Sequence, residues 1–174
     1  MILDWRTSPE IAARMETQVD YDIERQKAWI QSCNAKKDYI HFVISLEDTR
    51  EPVGYLSYAN IDWTKKTCVN GFYLVLEQKK RSLATFVHNF NADYCFYALK
   101  METMLFSVRD DNIGILKGLE VRNIHPVHKD NNLYFFERKR ADFIADKRLF
   151  TLERTLANFP DIASEPYAKF IGQD

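Results

Sequence analysis

The spacing of apolar and polar positions predicts two short helices followed by a three-stranded meander. Ser8-Pro9-Glu10 opens the first helix, with Ser8 as a candidate N-cap and Pro9 in the first turn. Asp20 or Asp22 starts the second helix, which runs to about Ala35. Three runs rich in β-branched and aromatic residues then predict antiparallel strands. These runs lie at 39–44, 53–59 and 67–76.

After the third strand the apolar positions change to a helical period. Leu83, Phe86, Val87 and Phe90 share one face, which predicts a long helix over 82–99. The remaining elements are a strand at 104–108, a short helix through 119, strands at 121–127 and 133–137, and a helix at about 141–158. This order predicts an α+β fold, in which a mostly antiparallel mixed sheet carries helices on both faces.

Composition limits the function classes to which the chain can belong. Apolar residues make up 46% of its 174 residues, which is enough for a folded core. The net charge of −1 argues against a nucleic-acid binder, and no apolar run approaches the ~20 residues of a membrane span. Scattered cysteines and an opening unlike a signal peptide predict a cytoplasmic protein. His125 and His128, three apart in a predicted strand, face opposite sides and predict no metal site.

A basic turn separates the third strand from the long helix. Lys79, Lys80 and Arg81 stand directly before Ser82, where the helical period begins. The first turn of a helix carries unpaired N–H groups and the positive end of the helix dipole. Adjacent cations therefore predict a site for a pyrophosphate. A solvated basic turn without a ligand is the alternative interpretation.

This turn resembles the acyl-coenzyme A pyrophosphate loop of the GCN-five-related N-acetyltransferases, the GNAT superfamily. The loop has the pattern Arg/Gln-x-x-Gly-x-Gly/Ala and lies between a bulged strand and a helix. Lys79, Ser82 and Ala84 stand at its three marked positions, and Leu83-Ala84-Thr85 matches a common continuation. The resemblance implies that acetyl-coenzyme A is the co-substrate and that no metal is needed. The cofactor-binding residues that it implies are Leu74, Val75, Leu76, Lys79, Lys80, Arg81, Ser82, Leu83, Ala84, Thr85 and Asn112.

The N-terminal residues resemble one subgroup of this superfamily. Residues 4–10, Asp-Trp-Arg-Thr-Ser-Pro-Glu, are similar to its Trp-Arg-Asn-x-Pro opening. The subgroup includes the nucleotide-sugar amine N-acetyltransferases of the pseudaminic-acid pathway and the ribosomal-protein N-terminal acetyltransferases. The resemblance implies acetyl transfer to the amine of a small molecule, such as a nucleotide-linked amino sugar. Acetylation of a peptide or protein N-terminus is the nearest alternative.

The same resemblance implies roles for residues around the reacting groups. Arg6 matches an arginine on the acceptor side, and Ser57 is the candidate to position a water that takes the proton of the amine. The N–H groups of Leu74 and Val75 are expected to bind the thioester oxygen. Further candidates for the acceptor cleft are Tyr58, Asp62 and Tyr73.

Departures from the family pattern leave a second hypothesis open. The chain begins almost at its first helix, so we expect the first strand of the family to be absent. Lys79 and Ser82 replace an Arg or Gln and a Gly. After Asn112, residues 113–120 contain no tyrosine, whereas the family has one there that protonates the leaving thiolate. Either another acid serves, or the fold is a binding module without catalysis.

The C-terminal residues bear on domain organisation and assembly. We expect an acetyltransferase-like domain at 1–138 and a C-terminal helix and tail at 139–174 in the same structural unit. The last helix carries more apolar surface than a free tail should expose, and an absent first strand leaves a sheet edge uncovered. Packing of this helix on its own sheet, or pairing of two chains, relieves both problems. We expect a homodimer.

Overall fold

The computed structural model describes residues 1–46, 48–75 and 81–145, apart from the side chains of residues 81, 82, 85, 144 and 145. The helices are α1 (Ile2–Thr7), α2 (Pro9–Ala12), α3 (Ile23–Lys36), α4 (Arg81–Asp93), α5 (Ile113–Val121) and α6 (Arg140–Ala145), and α4 continues into a π-helical turn at Tyr94–Ala98. The strands are β1 (Ile40–Ser45), β2 (Pro52–Asp62), β3 (Thr67–Leu74), β4 (Thr103–Arg109), β5 (His128–Asp130) and β6 (Leu133–Lys139).

The strands form one mixed sheet in the order β1-β2-β3-β4-β6-β5. Every neighbouring pair is antiparallel except β3 and β4, which are parallel and joined through α4. In the described part of the chain β1 is an edge strand, which agrees with the expected absence of a preceding strand. The predicted α+β fold with a mixed sheet is confirmed.

Helices cover both faces of the sheet because each strand buries side chains in both directions. On one face, which we call the core face, Leu56 and Tyr58 pack with Phe96 and Met104 beneath α4 and its π-helical turn. The opposite face, which we call the acceptor face, packs Tyr55 and Tyr73 against α1 and α2. The alternation of side chains along β2 and β3 places neighbouring residues on opposite faces.

The N-terminal helices α2 and α3 begin at predicted N-cap residues, Ser8 and Asp22, although only Asp22 makes a capping hydrogen bond through its side chain. Asp22 caps α3, because its carboxylate accepts a hydrogen bond from the Arg25 N–H at 2.9 Å. Pro9 occupies the first turn of α2, as expected. The Ser8 hydroxyl makes no cap and instead donates to the Trp5 carbonyl at 2.7 Å. That carbonyl, in the last turn of α1, also accepts a hydrogen bond from the Ser8 N–H at 3.1 Å.

The strand predicted at 121–127 is wrong. Helix α5 continues to Val121 and ends in a turn in which the Ile124 N–H donates to the Leu119 carbonyl at 2.9 Å and Asn123 has a φ of 57°. That left-handed residue ends the helix in the manner of a C-cap. Pro126 has no N–H to give to a ladder, so regular pairing starts only at His128.

The two glycines of the meander differ in the space that their missing side chains leave. The register between β2 and β3 shifts between Ala59 and Asp62, whereas Gly71 pairs in regular register with Ser57. A side chain at Gly71 would meet nothing within 4 Å. The close backbone approach is at Gly54, where an added Cβ would lie 2.6 Å from the Tyr73 carbonyl oxygen.

The start of the predicted C-terminal helix packs on the domain itself. Phe143 of α6 is buried, with its ring centroid 5.1 Å from that of Phe96 and 5.9 Å from that of Tyr97. The Arg138 guanidinium lies over the Phe143 ring at 4.7 Å. The helix predicted to continue to residue 158 lies outside the described residues after Ala145.

Candidate active site

An opening between β3 and β4 interrupts the sheet. The two strands pair only from Thr67 opposite Thr103 to Val69 opposite Leu105. Both strands continue past this point, β3 to Leu74 and β4 to Arg109, without pairing to each other. Backbone groups on the facing edges of the two strands are therefore free to bind a ligand.

The direction of the backbone amides shows which of them face this opening. The Val75 N–H donates to the Val53 carbonyl at 2.9 Å, so it points away from β4. Successive N–H groups of an antiparallel strand alternate in direction, so the Leu74 N–H points toward the opening. The expectation that Val75 donates to the thioester oxygen is therefore wrong, because β2 already uses its N–H. Leu74 keeps the geometry that such a donor requires.

Ser57 and Tyr58 are separated by the pleat of β2. Ser57 is on the acceptor face, and its hydroxyl lies 3.5 Å from the Gly71 carbonyl, the outer limit of a hydrogen bond. Tyr58 is 0% exposed on the core face and donates its hydroxyl to the Asn91 carbonyl at 2.7 Å. Tyr58 therefore does not line the acceptor cleft as expected, since adjacent strand residues cannot share one face.

Asp62 is also used elsewhere. It stands at the end of β2, where its carboxylate accepts hydrogen bonds from the Thr64 and Lys65 N–H groups at 3.0 and 2.8 Å. These bonds close the turn into β3 in the manner of an Asx turn. The Asp62 carboxylate serves that turn, which is a correction to its expected place in the cleft.

Open space lies over Gly71, next to the Ser57 hydroxyl. Gly71 is exposed, and its missing side chain leaves room on the acceptor face. Ser107, on the same face of β4, donates its hydroxyl to Glu16 at 3.0 Å. Glu16 belongs to the segment between α2 and α3, so this segment reaches across the sheet to β4. A small molecule can therefore lie over Gly71, bordered by Ser57 and Ser107.

Arg6 and Tyr73 carry buried polar atoms without partners in the described part of the chain. Arg6 donates from Nη2 to the carbonyl and hydroxyl oxygens of Thr17, at 3.0 and 2.9 Å, while Nη1 is buried and makes no hydrogen bond. The Tyr73 hydroxyl is likewise buried and unpartnered. Burial raises the pKa of Tyr73 to about 12, although the positive charge of Arg6 acts in the opposite direction. Buried polar atoms are nearly always paired, so both groups are candidates to bind a ligand.

The sequence interpretation missed an aromatic cluster that extends from the acceptor face to the sheet edge. The Tyr73 ring stacks on Tyr55 at 5.5 Å and contacts Trp5 edge-on at 6.4 Å. The Tyr55 hydroxyl forms a hydrogen bond with Nδ1 of His41. His41 in turn stacks on Tyr39 at 4.3 Å. The two-residue alternation of Tyr39 and His41 in the first strand was the signal in the sequence, but their pairing with β2 depends on a register that sequence does not show.

Most of the expected coenzyme site lies outside the described residues. This is the case for Leu76, Lys79 and Lys80, and for the side chains of Arg81, Ser82 and Thr85. Helix α4 begins at Arg81, and Leu83 and Ala84 are half-buried in its first turns. Asn112 is the N-cap residue of α5, but its side chain makes no capping hydrogen bond.

The described residues offer neither a metal site nor a membrane-spanning helix. They contain no cluster of three or more His, Cys, Asp or Glu side chains placed to hold a metal ion. None of their helices has the length and apolar character needed to cross a membrane. All three cysteines are free thiols, and Cys68 and Cys95 lie with their sulfurs 3.5 Å apart in the core.

Comparison with known proteins identifies the family. The acetyltransferase (GNAT) domain family matches residues 1–120, so the chain belongs to this family of acetyl-CoA-dependent N-acetyltransferases. The expected superfamily, enzyme class and co-substrate are thereby confirmed. No curated protein sequence matches the chain.

Solved structures show the same fold at low sequence identity. FdhC, a nucleotide-linked sugar GNAT, is 16% identical with a TM-score of 0.67, and the match covers 98% of this chain and 88% of that one. The Vibrio cholerae spermidine N-acetyltransferase, solved with CoA and spermine, is 11% identical with a TM-score of 0.71 over 82% and 90% of the two chains. The Campylobacter jejuni N-acetyltransferase PseH is 20% identical with a TM-score of 0.58 over 70% and 82%. At these identities the likeness establishes the fold alone.

Proposed function

We propose that this chain transfers the acetyl group of acetyl-CoA to the amino group of a small molecule that lies over Gly71. The observation that carries the proposal is the unpaired opening between β3 and β4 beside that open space. The thioester would lie in the opening with its carbonyl oxygen at the Leu74 N–H. The amine would approach from the acceptor face, beside the Ser57 hydroxyl.

The reaction needs only a few groups of this chain. Attack by the amine nitrogen forms the bond to the carbonyl carbon, and the carbon–sulfur bond breaks as coenzyme A leaves. The Leu74 N–H stabilises the negative charge that develops on the carbonyl oxygen. Ser57 positions a water that accepts the proton of the ammonium group. Helix α5 carries no tyrosine, so the proton for the leaving thiolate comes from the amine or from solvent.

The coenzyme pyrophosphate would bind at the start of α4. A helix N-terminus that follows a basic turn suits an anion. At the start of α5, the Asn112 side chain makes no capping hydrogen bond and can contribute its amide. Calorimetric titration with acetyl-CoA tests this step. We expect the combined Lys79→Ala, Lys80→Ala and Arg81→Ala variant to bind at least tenfold more weakly than the wild type, and a matched Lys65→Ala, Lys66→Ala variant in the β2–β3 turn to bind normally. An unchanged affinity in the triple variant contradicts the coenzyme site.

An anionic small-molecule amine, such as a nucleotide-linked amino sugar, fits the acceptor face better than a polyamine. Among the described residues, the buried Nη1 of Arg6 and the hydroxyl of Tyr73 are donors without acceptors, and a phosphate or carboxylate would satisfy them. The aromatic rings of Trp5, Tyr55 and Tyr73 suit the flat faces of sugars or bases. A polycation would instead require a carboxylate-rich wall.

A panel of acceptors distinguishes these classes. We expect acetyl transfer to a nucleotide-linked amino sugar to exceed transfer to spermidine or to a peptide N-terminus. Arg6→Ala should raise the acceptor KM, and Ser57→Ala should lower kcat without changing acetyl-CoA affinity. Preferred transfer to spermidine overturns the anionic acceptor. Coenzyme binding without transfer to any amine favours the alternative, a binding module, which the absence of a tyrosine in α5 supports.

We also infer a cytoplasmic homodimer in which residues 1–174 form one structural unit. The free thiols of Cys33, Cys68 and Cys95 suit a reducing compartment. Strand β1 is a sheet edge on which Val43 is 44% exposed, and such an edge favours pairing. Light scattering tests the assembly: we expect twice the chain mass of 20.6 kDa, and a particle of 20.6 kDa overturns the dimer.

A further inference from the structure

A half-buried imidazole on β1, that of His41, has no role in the mechanism described so far. Nδ1 of His41 forms a hydrogen bond with the Tyr55 hydroxyl, while Nε2 is buried and has no hydrogen-bond partner in the described residues. The ring is enclosed by Tyr39, stacked at 4.3 Å, and by Trp29 of α3, edge-on at 5.4 Å. A histidine held this closely with half of its polar atoms unpaired needs an explanation beyond packing.

The register of the meander connects this histidine to the acceptor face. His41 on β1 lies opposite Ser57 on β2, and Tyr55 on β2 lies opposite Tyr73 on β3. Tyr55 and Ser57 lie two residues apart on β2, so both side chains project from the acceptor face. Polar side chains therefore lead from Ser57, beside the open space over Gly71, to Tyr55, whose hydroxyl is hydrogen-bonded to His41.

We propose that Ser57, Tyr55 and His41 form a proton relay that takes the proton of the acceptor amine to the His41 imidazole. The inference rests on the proposed acetyl transfer. The ammonium group gives one proton to the water held by Ser57, the water passes a proton to the Tyr55 oxygen, and the Tyr55 hydroxyl proton moves to Nδ1 of His41. The neutral amine then attacks the thioester. The products are the amide, the thiol of coenzyme A and an imidazolium that returns its proton to solvent.

The protonation states of the relay suit this direction of transfer. Burial lowers the pKa of His41 below its usual value of 6.5, so the ring is neutral at pH 7 and accepts a proton. Burial is the main cause that raises the pKa of Tyr55, so its hydroxyl passes a proton on without persisting as a phenolate. In the described part of the chain, the titratable groups in ring or hydrogen-bond contact with His41 are Tyr39 and Tyr55. On α3, Glu24 and Lys27 pair with each other in solvent at 2.8 Å.

Kinetics of His41→Gln and Tyr55→Phe as a function of pH test the relay. We expect each substitution to lower kcat by about 10²-fold at pH 7, the usual size of a general-base effect. The KM for acetyl-CoA should not change. The wild-type kcat should decrease as the pH falls below the pKa of His41, which lies under 6.5. This decrease at acid pH should be absent in His41→Gln. The matched controls are His128→Gln on β5 and Tyr134→Phe on β6, both outside the relay, and they should match the wild type.

A second measurement separates chemistry from folding. NMR titration of the histidine ring resonances should give His41 of the wild type a pKa below 6.5. The same measurement should give a different pKa for His41 in Tyr55→Phe. A His41 that is protonated at pH 7, or a His41→Gln variant that retains the wild-type kcat and pH profile, overturns the relay while leaving the acetyltransferase activity intact. Acetyl-CoA binding without transfer by the wild type overturns the proposed function, and the relay with it.

Discussion

Two tyrosines on neighbouring strands show how differently the two faces of the sheet are built. On the core face, Tyr58 is fully buried and donates its hydroxyl to the Asn91 carbonyl at 2.7 Å. On the acceptor face, Tyr73 is 8% exposed, yet its hydroxyl has no partner in the described residues. The hydrogen bond of Tyr58 offsets the free-energy cost of burying its hydroxyl, whereas the cost of burying the Tyr73 hydroxyl is not offset. The difference indicates that the core face is shaped for stability and the acceptor face for a ligand.

The two glycines of the meander repeat this contrast. Gly54 lies between packed side chains of the core face, with Leu74 and Ile44 close to the position of its missing Cβ. Gly71 lies on the acceptor face with nothing within 4 Å of that position. Close packing fills one side of the sheet and leaves space on the other, directly beside the opening between β3 and β4.

Truncation of a core-face aromatic should have the largest effect on stability. Phe96 is 0% exposed and packs against Phe143, so Phe96→Ala removes buried apolar surface and leaves a cavity. We expect a loss of about 3–5 kcal/mol in the free energy of unfolding, measured by urea denaturation. Trp5→Ala on the half-buried acceptor side is the comparison and should cost less. Equal losses in the two variants would contradict the contrast between the faces.

Substitution of the two glycines should give opposite results. Gly54→Ala places a methyl group against the Tyr73 carbonyl oxygen, a backbone atom that cannot move without distorting β3. We expect it to cost about 1–3 kcal/mol, as overpacking does. Gly71→Ala should leave stability within about 0.5 kcal/mol of the wild type but raise the acceptor KM, because it fills the proposed space. Thermal melts measure the stabilities, and steady-state kinetics measure the acceptor KM. If Gly71→Ala keeps the wild-type acceptor KM, the acceptor does not lie over Gly71.

Removal of the two tyrosine hydroxyls is the most closely matched test. Tyr58→Phe removes the hydrogen bond from the buried hydroxyl to the Asn91 carbonyl, so we expect a loss of about 0.5–1.5 kcal/mol. Tyr73→Phe removes a hydroxyl that has no partner within residues 1–46, 48–75 and 81–145, so stability should be unchanged or slightly higher. Urea midpoints of the two variants decide the point. A Tyr73→Phe variant as unstable as Tyr58→Phe would mean that the Tyr73 hydroxyl is paired in solution.

The sequence predicted the elements better than it predicted which side chains meet. Apolar periodicity located β1 to β4 and the long helix, because this signal depends only on neighbouring residues. For the cap of α3 the sequence left Asp20 and Asp22 open, and the structure selects Asp22. The two-residue alternation also implied that Ser57 and Tyr58 face opposite sides, although both were placed in one cleft. His41 was missed because its contact with Tyr55 depends on the register between β1 and β2. The turn that ends α5 at Asn123 is not predictable from the sequence, since a left-handed asparagine leaves little trace in an apolar pattern.

The smallest expected effect is the contribution of the buried Tyr73 hydroxyl, on the acceptor face, to the loss of stability at alkaline pH. An unfolded chain ionises tyrosine near its usual pKa of 10.0, whereas burial raises the pKa of folded Tyr73 to about 12. Between these values the unfolded state loses the proton and the folded state keeps it, so stability falls as the pH rises through this range. We expect Tyr73→Phe to lose less stability than the wild type between pH 9 and pH 11, measured by urea denaturation at each pH. Tyr134→Phe on β6 provides the matched control. If the wild type and Tyr73→Phe lose stability equally over this range, the hydroxyl of Tyr73 is not held in its neutral form by burial on the acceptor face.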